Sequence, residues 1–185
     1  PRRTHARSQP TRPDQPPPTL PAPLAIAGPW TVDFENGPQG VPFPQLVSWT
    51  RHPDPALHHF AGSARYRTKF TVPAGWRAPG HAAPLDLGRL WTIASATLNG
   101  QPLGISWTAP FTLDAAPALR DGENELVVEV TNTWHNRLVG DAHLPPAQRS
   151  TRTNIAISAN KPWAELDLRE SGLFGPVRLL PKPNP

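Results

Sequence analysis

Apolar and polar positions alternate along much of this chain with a period of two, in short runs separated by Gly, Pro, Asn and Asp. The cleanest run is Asn124-Glu125-Leu126-Val127-Val128-Glu129-Val130, which points Leu126, Val128 and Val130 to one face and Glu125, Val127 and Glu129 to the other. Ser63 to Val72 reads the same way, with Tyr66, Thr68, Phe70 and Val72 on one face and Arg65, Arg67, Lys69 and Thr71 on the other. Three cations on one face predict a solvated outer surface that discourages edge pairing. Trp30-Thr31-Val32-Asp33-Phe34 alternates as well, and Pro73 ends the 63–72 run. Thr92 to Leu98 leads into Asn99-Gly100, a strong hairpin signal because both residues tolerate positive φ, with Leu103 to Trp107 as the returning strand. Asp121-Gly122 forms a similar turn ahead of the 124–130 run. No segment sustains a 3.6-residue apolar period, so helices are expected to be few and short. Turn signals every 8–12 residues predict an all-β chain, an antiparallel β-sandwich of two sheets.

Charge and composition change the picture in one respect. The formal net charge of +4 over 185 residues would attract nucleic acid if it lay on the folded part. It does not. Residues 1–27 carry Arg2, Arg3, Arg7 and Arg12 against Asp14, with eight prolines, and Lys182 adds one cation near the end. Residues 28–181 balance thirteen Lys and Arg against thirteen Asp and Glu. The expected organisation is therefore a Pro/Arg-rich linker at 1–27, disordered or extended, a β-sandwich at 28–181, and a tail at 182–185, with no nucleic-acid partner. A chain that starts at Pro1 and contains no Met is expected to be a piece of a longer polypeptide. The absence of cysteine removes disulfides, thiolate metal sites and a cysteine nucleophile. There is no run of 18 or more apolar residues that would make a membrane-spanning helix.

Candidate chemistry concentrates after the 124–130 strand, in Thr131-Asn132-Thr133-Trp134-His135-Asn136-Arg137-Leu138-Val139-Gly140-Asp141. An indole with a guanidinium, a carboxylate and two carboxamides close by is what a sugar site needs: an apolar plane and a few hydrogen-bonding groups. Asn132, Trp134, Asn136, Arg137 and Asp141 are thus the carbohydrate-binding or domain-interface candidates. The competing reading is a polar plug, in which Arg137 and Asp141 form a buried bidentate pair that fastens the loop to the sandwich. Of the other tryptophans, Trp30 and Trp107 are expected in the core and Trp91 under the hairpin. Trp49 and Trp76, in turn-rich stretches, are expected over sheet edges.

In order along the chain, ten short pieces resemble one family. They include Gly28-Pro29-Trp30-Thr31-Val32-Asp33-Phe34, Ser48-Trp49-Thr50, Phe60-Ala61-Gly62-Ser63-Ala64-Arg65-Tyr66, and Leu85-Asp86-Leu87-Gly88. They continue through Leu98-Asn99-Gly100, Leu103-Gly104-Ile105-Ser106-Trp107, Pro110-Phe111-Thr112-Leu113-Asp114 and Gly122-Glu123-Asn124-Glu125-Leu126. The last two are the 131–141 stretch and Ser171-Gly172-Leu173-Phe174-Gly175-Pro176-Val177-Arg178-Leu179. This order is similar to the C-terminal β-sandwich of glycoside hydrolase family 106, the α-L-rhamnosidase-like enzymes, and more distantly to the sugar-binding jelly roll of family 2. The resemblance implies a jelly-roll, galactose-binding-domain-like sandwich. Its implied role is a non-catalytic accessory domain that packs on a catalytic barrel, with carbohydrate as the ligand class, in a bacterial enzyme that is secreted or periplasmic. The two alternatives are a purely structural sandwich without sugar affinity and a glycosidase in its own right.

Nothing in the residues supports the last alternative. Glycosidases use two carboxylates roughly 5–10 Å apart, and Glu165 and Asp167 would share a face of a strand there, as solvated strands commonly allow. Ser63 and Ser171 lie outside any Gly-x-Ser-x-Gly turn before a helix. His58-His59 has no second ligand at metal spacing. No cofactor is expected, save the structural calcium that jelly rolls of this kind often carry. Calcium prefers oxygen, which makes Asn132, Asp141 and backbone carbonyls its candidates ahead of His143.

Overall fold

The computed structural model of the chain describes residues 20–76, 81–154 and 161–183. Its strands are β1 (Leu24–Ala25), β2 (Trp30–Phe34), β3 (Val41–Phe43), β4 (Ser63–Val72), β5 (His81–Ala82), β6 (Pro84–Asp86) and β7 (Arg89–Trp91). They continue with β8 (Ile93–Leu98), β9 (Gln101–Ser106), β10 (Thr112–Asp114), β11 (Gly122–Thr131), β12 (Gly172–Gly175), β13 (Arg178–Leu179) and β14 (Lys182–Pro183). A six-stranded sheet in the order β3-β2-β4-β11-β8-β9 faces a four-stranded sheet in the order β1-β13-β6-β10. Two small pairs, β12-β7 and β14-β5, flank them. Every pair of named strands is antiparallel, so the molecule is an all-β sandwich.

The period-two pattern decides which side chains fill the sandwich. In β11, Leu126, Val128 and Val130 are fully buried, and in β4 Ala64, Tyr66 and Val72 are. Burying side chains of this size contributes on the order of 1.5–3 kcal/mol each. The opposite face of β4 is exposed, as its three cations predict, and each is ion-paired to a neighbouring strand. Arg65 meets Glu129 at 2.7 Å, Arg67 meets Asp33 at 2.9 Å and Lys69 meets Glu123 at 2.9 Å. Between β8 and β9 the Asn99-Gly100 turn has φ of 52° and 80°, as the hairpin signal requires.

Tryptophan placement departs from the sequence reading. Trp49 and Trp76, read as lying in turn-rich stretches, belong to the core: Trp49 is completely buried and Trp76 nearly so. Trp49 sits in a short 3-10 turn, Trp49–Arg51, where its ring packs edge-on against Phe34 and Phe60. Its Nε1 donates to the Tyr66 hydroxyl, which also accepts from the Leu173 amide at 3.1 Å. Gly172, at φ +100°, leaves the space this pair occupies, since a Cβ there would overlap the Trp49 indole and the Tyr66 hydroxyl. Trp107 is the reverse case. Expected in the core, it is 73% exposed beyond the end of β9, because the buried phase of that strand belongs to Ser106.

Both expected terminal boundaries move. Within the stretch read as a linker, Leu24 and Ala25 pair with Leu179 and Arg178, Ile26 is buried, and the Ala22 carbonyl accepts from Trp76 Nε1 at 3.1 Å. Leu24 and Ile26 supply the apolar side chains that the proline count obscured. At the other end Lys182 and Pro183 pair with Ala82 and His81, so the strand pairing extends past 181. Residues 1–19 of the expected linker, and 184–185, lie outside the described residues.

Candidate functional site

β11 and β8 run out together, with Thr131 opposite Ile93, and the chain then turns into the helix α1 (His135–Ala142) rather than the expected loop. Asn136, Arg137 and Gly140 are poor helix formers or polar, which hid the eight-residue helix from a periodicity reading. Gly140 is where His59 packs: a Cβ there would come within 2.6 Å of the His59 ring. Burial pushes the His59 imidazole below its ordinary value, helped by the charges of His58, Arg137 and His143 and opposed by Asp141.

The two carboxamides at this end are spent on the fold. Asn132 is buried; its Oδ1 accepts from the Gly62 amide at 3.0 Å, and its Nδ2 donates to the Phe60 carbonyl at 2.9 Å and Ser171 Oγ at 3.2 Å. Asn136, 1% exposed, accepts from the Arg169 amide at 2.8 Å and donates to the Arg169 carbonyl at 2.7 Å and Ser171 Oγ at 3.0 Å. Ser171 is itself held by Ser48, whose Oγ accepts its amide at 3.0 Å. Residues 48, 60–62, 132–136 and 169–171 are therefore stitched at one point. The serine of the Ser171-Gly172 pair is a structural knot, not a nucleophile.

Asp141 also differs from expectation. Its carboxylate does not form a bidentate pair with Arg137. It accepts from the Thr151 amide and Thr151 Oγ1, both at 2.6 Å, and from Ser150 Oγ at 3.1 Å. Burial pushes the carboxyl up, but these hydrogen bonds, with the Arg137 charge behind them, hold it below the ordinary carboxylate range. The same donors bear on the calcium reading. A cation needs oxygens facing it without N–H or O–H groups between. The acceptor oxygens of Asp141 and Asn132 are directed at such groups, on different segments, so this pair does not fit the ion. Among the described residues no cluster of three or more His, Asp or Glu is placed to hold a metal.

Trp134 is 63% exposed at the start of α1, the one aromatic plane of the five candidates, with Arg137 half-buried a turn later. It has company. The large apolar side chains left exposed among the described residues are Trp91, Ile93, Ile105, Trp107, Trp134 and Leu144. Ile93 begins β8, Trp107 follows Ser106, which pairs with Ala94, and Ile105 is one pair further in. Trp91 precedes β8, while Trp134 and Leu144 flank α1. Trp91, Ile93, Ile105, Trp107 and Trp134 thus lie at the end of the sandwich where β11 ends. The sequence carried part of this signal, since Ile93, Ile105 and Trp107 fall out of phase with the buried residues of their strands.

Glu165 and Asp167, the acids considered for catalysis, lie in a 3-10 turn (Trp163–Glu165) and the coil after it, not on a strand that would align them. Trp163 packs edge-on against His135, 5.7 Å between centroids, and His135 Nε2 lies 2.9 Å from the Asp167 carbonyl. Beside Trp163 is a cavity of about 390 Å³, lined also by Asp141, Arg149, Thr151, Arg152 and Thr153. Arg149, Arg152 and Trp163 were not among the sequence candidates for carbohydrate binding, because those were drawn from the 131–141 stretch alone.

Fold and surface define a β-sandwich module with one apolar end. No family model matches the chain. A protein of Formosa agariphila with a provisional beta-glucuronidase name is 35% identical over 188 aligned positions, 87% of this chain and 16% of its own. The solved rhamnosidase of Novosphingobium sp. PP1Y superposes with a TM-score of 0.77 at 34% identity, over 95% of this chain and 16% of that one. The beta-D-glucuronidase of Dictyoglomus thermophilum shares the fold at 19% identity and a TM-score of 0.60, over 88% of this chain and 28% of its own. The chain thus spans about a sixth of the length of the first two relatives.

Proposed function

We propose that this chain is a non-catalytic accessory β-sandwich, of jelly-roll type, from a rhamnosidase-type glycoside hydrolase acting outside the cytoplasm. It seats its tryptophan-rich end on the catalytic barrel of its own polypeptide and orients the glycan there, with Trp134 as the sugar-facing plane. The observation that carries the reading is the gathering of five exposed large apolar side chains, Trp91, Ile93, Ile105, Trp107 and Trp134, at one end, since contiguous exposed apolar surface marks interaction sites. The 34% identity to a rhamnosidase over nearly the whole chain supports the choice of enzyme type.

Two measurements test it. The isolated chain should release no product from aryl α-L-rhamnosides above background; release abolished by Glu165→Gln or Asp167→Asn would overturn the non-catalytic role. In the full-length parent enzyme, the amides of 91–93, 105–107 and 134–138 should exchange hydrogen at least about ten-fold more slowly than in the isolated chain, as burial at an interface requires. Equal exchange would overturn the docking.

One specific observation favours a second reading, a structural module without sugar affinity. Asn132, Asn136 and Asp141 direct their hydrogen-bonding groups into the protein, which leaves Trp134 and Arg137 as the ligand-facing candidates of that stretch.

A further inference from the structure

We infer that the cavity beside Trp163 binds an anionic sugar residue, one bearing a carboxylate or a sulfate. The inference rests on the accessory-domain reading and extends it to a ligand class and to residues outside the 131–141 stretch. At about 390 Å³ the cavity falls in the range of roughly 300–1,000 Å³ typical of small-molecule sites. Trp163 contributes an aromatic wall against which the C–H face of a pyranose can lie. Two guanidinium groups, Arg149 and Arg152, line the same space.

Charge decides the ligand class. On the six-stranded sheet and at the 51–89–170 cluster, Arg51, Arg65, Arg67, Lys69 and Arg89 each meet a carboxylate within 3.1 Å. Neither Arg149 nor Arg152 has such a partner among the described residues. Arg149 is held in place through its Nε, which donates to the Leu144 carbonyl at 2.9 Å. That bond leaves the terminal nitrogens of the fork for the oxygens of an oxyanion, which guanidinium groups bind through charge-assisted N–H bonds. Among the described residues the one acid in the lining, Asp141, is already met by Ser150 and by both donors of Thr151. Two cations against one saturated carboxylate leave the cavity net positive, and a neutral sugar makes no use of that charge.

The test titrates the 185-residue chain by calorimetry with digalacturonate, galactose 6-sulfate, neutral galactobiose and inorganic sulfate. Digalacturonate, galactose 6-sulfate or both should bind at least ten-fold more tightly than galactobiose and inorganic sulfate, and the arms separate carboxylate from sulfate recognition. The Arg149→Gln/Arg152→Gln variant should lose that binding ten-fold or more with an unchanged melting temperature, because both side chains are exposed. Should that variant unfold, Arg152→Gln alone carries the same comparison. Equal binding of neutral and anionic disaccharides, inorganic sulfate binding as tightly as the sugars, no binding at all, or variants that bind like the wild type would each overturn the inference. None of those results touches the docking reading, which the exchange experiment tests separately.

Discussion

The two ends of the sandwich use the same device and differ in what they leave exposed. At the end where β8 turns into β9, Asn124 is 1% exposed and its carboxamide accepts from Asn99 Nδ2 at 2.8 Å and the Arg120 amide at 2.9 Å. It donates to the carbonyls of Arg120 at 2.7 Å and Gly122 at 2.9 Å, while Asn99 spans to the Ala118 carbonyl and the Glu125 amide. At the opposite end Asn132 and Asn136 do the same for segments 60–62 and 169–171. Buried asparagine satisfies backbone groups that the strands abandon as they splay, so its presence says nothing about a ligand. Ile93, Trp107 and Trp134 separate the ends: among the described residues no large apolar side chain is exposed near Asn99. The exposed rings, rather than the amides, single out one end for binding.

The strongest way to break that comparison is to remove both knots. Asn124→Ala and Asn136→Ala should each destabilise the chain by about 2–3 kcal/mol, since each strands buried backbone groups at a cost of about 1–3 kcal/mol apiece. Urea melts giving a loss for Asn124→Ala and none for Asn136→Ala would return Asn136 to the ligand-binding residues.

A smaller effect is expected at Asp141, and it depends on pH. Its folded carboxyl lies below the ordinary range, so the unfolded state binds the proton more readily. The stabilisation is present above the unfolded carboxyl value and is lost as the pH falls through the lower, folded one. Thermal melts of the wild type and Asp141→Asn from neutral to acid pH should show the wild-type advantage shrinking as acid is added. An advantage that grows toward acid would contradict the hydrogen-bonding scheme around Thr151.

The smallest effects are expected at the exposed rings. Trp107→Ser and Trp134→Ala in the isolated chain should each change stability by no more than about 0.5 kcal/mol, the usual range for surface positions. A loss of several kcal/mol at either would mean that the ring is part of the core after all.

Most of the sandwich was legible because strands write their burial into a period of two. β4 was bounded correctly and the buried face of β11 was read residue by residue. The tryptophans were sorted less well because an indole looks the same in sequence on either side of a sheet. Trp49 lies in a turn, yet the Tyr66 hydroxyl and Gly172 that make room for it are 17 and 123 residues away. The candidate stretch was found, but its inner logic was not. Asp141 takes its partners from Ser150 and Thr151 on a returning segment, so the nearby Arg137 was the natural but mistaken choice. β1 was missed because eight prolines outweighed Leu24 and Ile26, whose partners lie some 150 residues on.

The order of the four-stranded sheet has a consequence for how the chain assembles. β13 lies between β1 and β6, although it is made long after both. A chain emerging from the ribosome can pair β2, β4, β8, β9 and β11 and form the turn-end knot. It then has to hold one half of its core open until residues 178–179 arrive. Until then β1 and β6 each present an unsatisfied strand edge. Closure over such sequence distances is slow by the usual relation between contact order and rate. A nascent chain stalled before Val177 would therefore display two sticky edges, which makes that interval the one in which a chaperone has most to shield.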